Sequence, residues 1–131
     1  KLKPVVKLFA KIIQIKKIKK NEFVGYNQTF KTKKEIKVAI IGIGYADGIP
    51  RILSNKGNVY YKDEKFRIIG RISMDSLTVD ITNSKNILKV GKYLELINYK
   101  YGIDKMGRDY KTISNEVITS IGSRVKRIYV K

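Results

Sequence analysis

Cysteine and histidine are both absent from this 131-residue chain. Without them, thiolate nucleophiles, imidazole bases and the ordinary zinc ligand sets are excluded, since carboxylates alone favour harder ions. Any catalysis must rest on Tyr, Lys, Arg, Asp or Glu, and no metal site is expected. Long apolar runs are missing too: nothing approaches the roughly 20 residues needed to span a bilayer. The amino terminus is too rich in Lys to provide a signal-peptide core. A cytoplasmic protein without a membrane role is the expectation. Acidic side chains are scarce, 11 against 29 basic ones, for a formal charge of +18. Such an excess first suggests a polyanion partner, because dense positive charge releases counterions on phosphate chains. Only six of the basic residues are arginine, however, and Lys, Ile and Asn are all abundant, as an A/T-rich coding bias would produce. A solvated Lys surface is the preferred reading; a basic β-barrel binding nucleic acid is the alternative.

What is present is enough apolar character, 43%, to bury one modest core. Residues 1–131 read as one domain. The chain begins with Lys and runs almost at once into a strand-like segment, as though continuing a larger protein. From Pro4 to Ile18, Leu8, Ala10 and Ile12 would share one strand face and Phe9, Ile13 and Ile15 the other, with a helix as the alternative. Ile36 to Ile43 is nearly continuous in apolar residues, as in a buried strand running into a tight loop. Asn58–Lys62 and Lys65–Ile69 flank Asp63 and Glu64 as a hairpin. Ile72–Ile81 and Tyr93–Asn98 read as further strands. Thr112 to Ile121 is the best helix, with Ile113, Val117 and Ile121 in one stripe, and Arg124–Val130 returns as a last strand. The pattern predicts a mainly β fold, an antiparallel Greek-key-like barrel with one or two short helices.

Chemistry concentrates in Gly42-Ile43-Gly44-Tyr45-Ala46-Asp47-Gly48-Ile49-Pro50-Arg51. There, glycines permit backbone geometry that a Cβ would block, while Tyr, Asp and Arg are presented at a strand end. Gly70-Arg71-Ile72-Ser73-Met74-Asp75 follows about two dozen residues on. Upstream, Phe23-Val24-Gly25-Tyr26-Asn27-Gln28-Thr29-Phe30 follows the first strand. Downstream lie Thr112-Ile113-Ser114-Asn115-Glu116-Val117 and Arg124-Val125-Lys126-Arg127-Ile128-Tyr129.

In order and spacing these blocks resemble the carboxy-terminal domain of pyridoxal-phosphate-dependent alanine racemases of fold type III. The first matches the family's Gly-Tyr-Ala-Asp-Gly signature and the second its Gly-Arg-x-x-Met-Asp signature. The Tyr26 segment matches a Val-x-Tyr-Gly block. Four ordered blocks are far more specific than one glycine-rich loop, which recurs in unrelated folds.

The resemblance implies a β-domain that completes a site in a homodimer. The cofactor, pyridoxal 5'-phosphate, is held covalently by a lysine of an amino-terminal (α/β)-barrel absent from these residues. It implies interconversion of L- and D-alanine for peptidoglycan, with the isolated domain inactive; a vestigial or split racemase piece is the alternative within the family. Tyr26 would be the acid/base group on the face opposite that lysine. Tyr45, Arg51 and Arg71 would line the substrate entrance, Met74 would offer its backbone N–H to the substrate carboxylate, and Asp47 and Asp75 would orient these loops and pair with arginine. Ile113 and Asn115 would lie by the cofactor phosphate. Two departures stand out: Asn115 replaces the family's phosphate-contacting tyrosine, shortening its reach, and Ser73 stands where many members have Cys.

Without the resemblance, each residue has a plainer reading. The remaining tyrosines, 60, 61, 93, 99, 101, 110 and 129, read as sheet or surface residues. Arg51 and Arg71 would be surface ion-pair partners, Met74 core, and Arg124 and Arg127 would lay their stems along the sheet.

Overall fold

Among residues 5–25 and 28–131, which the computed structural model describes, eight strands and two short helices follow one another. The first strand, β1 (Leu8–Ile18), sets the architecture because it is shared between two pairings. Its first half pairs antiparallel with β8 (Tyr93–Ile97), from Leu8 opposite Ile97 to Lys11 opposite Tyr93. Its second half pairs with β4 (Ile36–Ile41), from Ile12 opposite Ile41 to Ile18 opposite Ile36. A bulge between Ile12 and Gln14 separates the two halves. Leu8, Ala10 and Ile12 point into the core, and Phe9 and Ile13 point out, as alternation requires. Ile15 departs from the expected outer face and packs against the core, because the bulge's extra residue resets the alternation.

The strands β5 (Asn58–Tyr61), β6 (Glu64–Ile69) and β7 (Leu77–Asp80) complete a closed barrel in the order β1-β4-β7-β6-β5-β8. Three consecutive strands, β5, β6 and β7, lie side by side and β8 returns beside β5, which is the Greek-key arrangement. Closure removes every edge of this sheet, so no edge is exposed to a stray strand. The β5–β6 turn is Lys62-Asp63, with Lys62 at positive φ (52°) and Glu64 already paired with Tyr61. The predicted hairpin is therefore present with its turn one residue earlier. Glu64 then does something else: its carboxylate accepts the backbone N–H groups of Lys85 (2.8 Å) and Asn86 (3.1 Å), the Asn86 amide (2.6 Å) and the Ser84 hydroxyl (3.0 Å). It thus ties the hairpin to the β7–β8 connection.

The short ribbon of β2 (Phe23–Val24) and β3 (Phe30–Lys31) explains why Ile36–Ile41 is apolar on both faces. Ala39 and Ile41 enter the barrel core, whereas Ile36 and Val38 form a second small core with Ile18, Val24 and Ile69, against which Phe30 packs.

Three expectations need correction. Arg124–Val130 is not a strand; with the barrel closed it has no edge to join, and Ile128, Tyr129 and Val130 are exposed. The Arg127 guanidinium occupies carbonyls of Ile121, Gly122 and Val125, each at 2.9 Å. In the Ile72–Ile81 segment, pairing starts only at Leu77, because residues 73–76 form a turn closed by Ser73 N–H to Ser76 O (3.0 Å). Of the one or two short helices expected, both are present: α1 (Ile103–Asp109), which the pattern does not locate, precedes α2 (Ser114–Ser120) and packs on it. Its signal was the spacing of Ile103, Met106 and Tyr110, obscured by the polar residues between. In α2 only Val117 is buried; Ile113 is exposed and Ile121 half-buried, so the apolar stripe is narrower than predicted.

Candidate functional site

Register places the two signature segments at one end of the barrel. Ile41 at the end of β4 sits opposite Leu77 at the start of β7, and Ile69 at the end of β6 sits opposite Thr78. The chain leaving β4 and the loop joining β6 to β7 therefore emerge side by side. A one-residue slip would turn the alternating side chains inside out, so burial of Ile41, Leu77 and Ile69 holds this register.

The loops then bond to each other through backbone. The Tyr45 N–H donates to Ser73 O and the Ala46 N–H to Met74 O, both at 3.0 Å. This contact demands glycine at position 44, where a Cβ would stand 2.3 Å from Ser73 O and 2.5 Å from Met74 O. Tyr45–Asp47 forms a single 3-10 turn ending at Gly48, whose φ of 100° favours glycine and whose would-be Cβ meets Ser120 O at 2.3 Å. The end of α2 therefore supports the first loop from behind.

Tyr45, Met74 and Asp75 are brought together at this end and are exposed, with Met74 53% accessible, so its default assignment to the core is wrong. The Met74 backbone N–H makes no hydrogen bond to another described residue, which leaves it available to an external acceptor. Ser73 closes the turn beneath it, donating from Oγ to Ser76 O (2.9 Å) and accepting the Ser76 N–H (3.1 Å). Arg71 begins the same loop and is exposed, its backbone packed on Gly25, where a Cβ would lie 2.9 Å from Arg71 N. Arg51 opens the next 3-10 turn, Arg51–Leu53, also exposed. Neither guanidinium forms an ion pair among the described residues. Tyr26, the residue assigned the acid/base role, lies outside the described residues, as does Asn27.

Ile113 and Asn115 stand at the front of α2, exposed, and neither side chain is hydrogen-bonded to a described residue. Ser120, which touches Gly48, is five residues beyond Asn115, about 7.5 Å along the helix axis at 1.5 Å per residue. No hydrogen bond joins Ile113 or Asn115 to either signature loop among the described residues.

Arg124 was missed as a site residue. Instead of lying along the sheet it donates from Nε to Asp47 Oδ1 (3.0 Å) and forms an ion pair through Nη2 with Asp75 Oδ1 (2.8 Å), joining the two loops. Its pKa is raised by the hydrogen bond to Asp75 first and those to Asp47 next. The resemblance implies that Asp47 and Asp75 orient these loops by pairing with arginine, but no local pattern says which arginine.

Elsewhere, phenols are made unfit as bases. Burial, then a hydrogen bond to Asp109, pushes Tyr101 up; burial and the Asp109 charge push Tyr110 and Tyr60 up. Among the described residues no His, Cys, Asp or Glu cluster could hold a metal, and no helix is long and apolar enough to cross a membrane.

Comparison with known proteins agrees with this geometry. The family model described as the alanine racemase C-terminal domain matches residues 5–129. The alanine racemase of Brucella ovis is 41% identical over 128 residues, covering 97% of this chain and 32% of that protein. That of Clostridium novyi is 40% identical over 134 residues, covering 99% and 35%. Among solved structures, the Bartonella henselae alanine racemase with covalently bound pyridoxal phosphate superposes with a TM-score of 0.93 at 45% identity, covering 96% of this chain and 35% of that one. The biosynthetic alanine racemase of Pseudomonas aeruginosa gives 0.90 at 30% identity, covering 99% and 36%. The chain thus spans about a third of the length of the relatives it matches. On the family match, the sequence identity and the shared fold together, the chain belongs to the alanine racemase C-terminal domain family.

Proposed function

We propose that this domain is the carboxy-terminal part of a cytoplasmic, homodimeric alanine racemase that interconverts L- and D-alanine, supplying D-alanine for peptidoglycan. The observation that carries this reading is the loop pair. Tyr45 and the Met74 N–H are held side by side by two backbone hydrogen bonds, in a chain that aligns with alanine racemases over nearly its whole length. Racemisation removes the α-proton from one enantiomer and returns one to the opposite face, so acid/base groups are needed on both sides of the substrate. A lysine of the amino-terminal barrel serves one side and Tyr26 the other. A phenol titrates near 10 in model peptides, so work near neutrality needs neighbouring positive charge or a hydrogen bond that favours phenolate, which in this reading the barrel supplies. The domain alone is therefore inactive.

Tyr45 narrows the approach, Arg51 and Arg71 draw in a carboxylate, and the Met74 N–H receives it, with Asp75 fixing the loop. Pyridoxal 5'-phosphate, when bound, supplies an electron sink for the charge left at the α-carbon. The residues of this chain fit a peripheral role toward it: Asn115 offers one exposed amide donor to a phosphate oxygen beside the Ile113 backbone. The Asp104 carboxylate, bonded to the Ser114 hydroxyl, adds no attraction for an anion. Most phosphate ligands therefore belong to the barrel.

The test is Tyr26→Phe in the cofactor-loaded enzyme containing both parts, with loss of optical activity of L-alanine as the signal. General acid/base groups contribute about 10²–10⁴-fold, so turnover should fall by at least about a hundredfold with circular dichroism unchanged. Racemisation retained at the wild-type rate would refute the assignment.

A further inference from the structure

The signature loops are zipped by backbone on one side and share a single cation on the other. Arg124 reaches both: Asp47 lies at the end of the Tyr45 turn and Asp75 directly follows Met74. The Asp47 side chain is only 8% accessible, and its second oxygen accepts the Gly44 N–H at 3.1 Å. Asp75 is 63% accessible, on the same exposed tip as the Met74 N–H, which bonds to no other described residue. Arg124 is itself held in place. Gly122 N–H donates to Asp47 O (3.1 Å), and the Arg127 guanidinium binds the carbonyls of Ile121, Gly122 and Val125, fixing the backbone on either side. Two carboxylates thus share one guanidinium, and among the described residues neither has another ion-pair partner.

This arrangement matters for an anionic substrate. An α-carboxylate approaching the Met74 N–H would come within one residue of the Asp75 charge, and opposite the Tyr45 turn. We propose that Arg124 is a positioning residue of the substrate-carboxylate subsite: it fixes the Met74–Asp75 tip against the Tyr45 turn and screens Asp75 from the incoming carboxylate. The inference rests on the racemase reading above for its substrate, but not for its geometry. Arg124 touches the loops rather than the reacting atoms, so its loss acts on binding more than on proton transfer.

Two measurements test it. In the cofactor-loaded enzyme, Arg124→Gln should raise KM for alanine about fivefold while kcat changes less than about twofold, as for loss of binding shared by ground and transition states. Adding Asp75→Asn to Arg124→Gln should recover part of that KM, because the unscreened charge is gone while the tip stays unclamped; a purely structural role predicts no recovery or further loss. Arg124→Lys, which keeps the charge but reaches one carboxylate only, should fall between, and carries the test should Arg124→Gln not fold. Separately, hydrogen exchange on the full chain should quicken in peptides spanning 43–48 and 72–76 of Arg124→Gln, with β1 and β8 unchanged. Wild-type KM and wild-type exchange in Arg124→Gln would overturn the proposal, as would a KM rise that Asp75→Asn leaves unchanged or deepens. If the wild-type enzyme does not racemise alanine but exchange quickens as stated, the racemase reading fails while the clamp stands.

Discussion

Replacing Gly44 with alanine probes the contact on which the site depends. The φ of −149° is one that any residue adopts, so the substitution tests space and not backbone strain. The added Cβ would meet Ser73 O at 2.3 Å and Met74 O at 2.5 Å, whereas ordinary contacts begin at 3.4 Å. Both obstacles are backbone atoms of a turn tied by Ser73 and Ser76, so no rotamer change relieves them and the loops must part by roughly 1 Å. Overpacking of this kind costs about 1–3 kcal/mol. Parting the loops also weakens two backbone hydrogen bonds, each worth about 1 kcal/mol net. Together they predict a loss of about 3 kcal/mol, a fall of about 1–2 M in the urea midpoint for a protein of this size. Gly102→Ala is the control. Its nearest neighbour is Asn98 O at 3.9 Å and its φ is −84°, so only the cap preference of glycine over alanine at the start of α1, under about 1 kcal/mol, is lost. Equilibrium urea unfolding of both variants decides the matter. A Gly44→Ala midpoint no lower than that of Gly102→Ala would refute the seated loops, and with them the adjacency of Tyr45 and Met74.

Two further outcomes follow from other parts of the chain. Hydrogen bonds, first from the Lys85 backbone, hold the Glu64 carboxyl down to about 2 from its ordinary 4.5. The stability it contributes is present above about pH 4.5 and lost as pH falls toward 2. The melting temperature of wild type should therefore exceed that of Glu64→Gln at pH 6 and converge with it near pH 2; a constant gap across that window would contradict the clasp. Asn115→Tyr should tighten pyridoxal phosphate binding in the complete enzyme several-fold, by titration of the cofactor's absorbance, without moving the melting temperature of the apo protein, because position 115 is exposed.

Much of the barrel was legible because its strands alternate: Leu8, Ala10 and Ile12 inward and Phe9 outward leave little choice of face. Legibility failed where tertiary contacts override that period. Ile36–Ile41 hides its register, since a strand buried on both faces reads as a bare apolar run, and only pairing with β7 shows which residues enter which core. The end of the chain looked like a strand because Val125 alternates with charged neighbours, yet a closed barrel offers it no edge. Motif residues were visible as types, but their joining was not. Nothing in the local pattern couples Arg124 to Asp47, 77 residues earlier. Charge was the weakest guide. Several lysines lie over rings of the same surface, such as Lys7 over Tyr99 at 4.2 Å and Lys11 over Tyr93 at 5.6 Å. The ion pair of Lys100 with Asp63 is so exposed that it is worth little.

Positions 73 and 115 show how the fold divides tolerance. Ser73 sits inside the loop frame, and its hydroxyl bonds both the carbonyl and the N–H of Ser76. A thiol is a weaker donor and acceptor, so the serine tightens the turn that presents the Met74 N–H. That change is read by the domain itself. Asn115 bonds to no described residue and contributes nothing to the packing of α2, which rests on Val117. A substitution at position 73 should thus appear in the stability of the loop pair and one at 115 in the binding of a ligand, because Ser73 is bonded into the turn whereas Asn115 is exposed and bonded to no described residue.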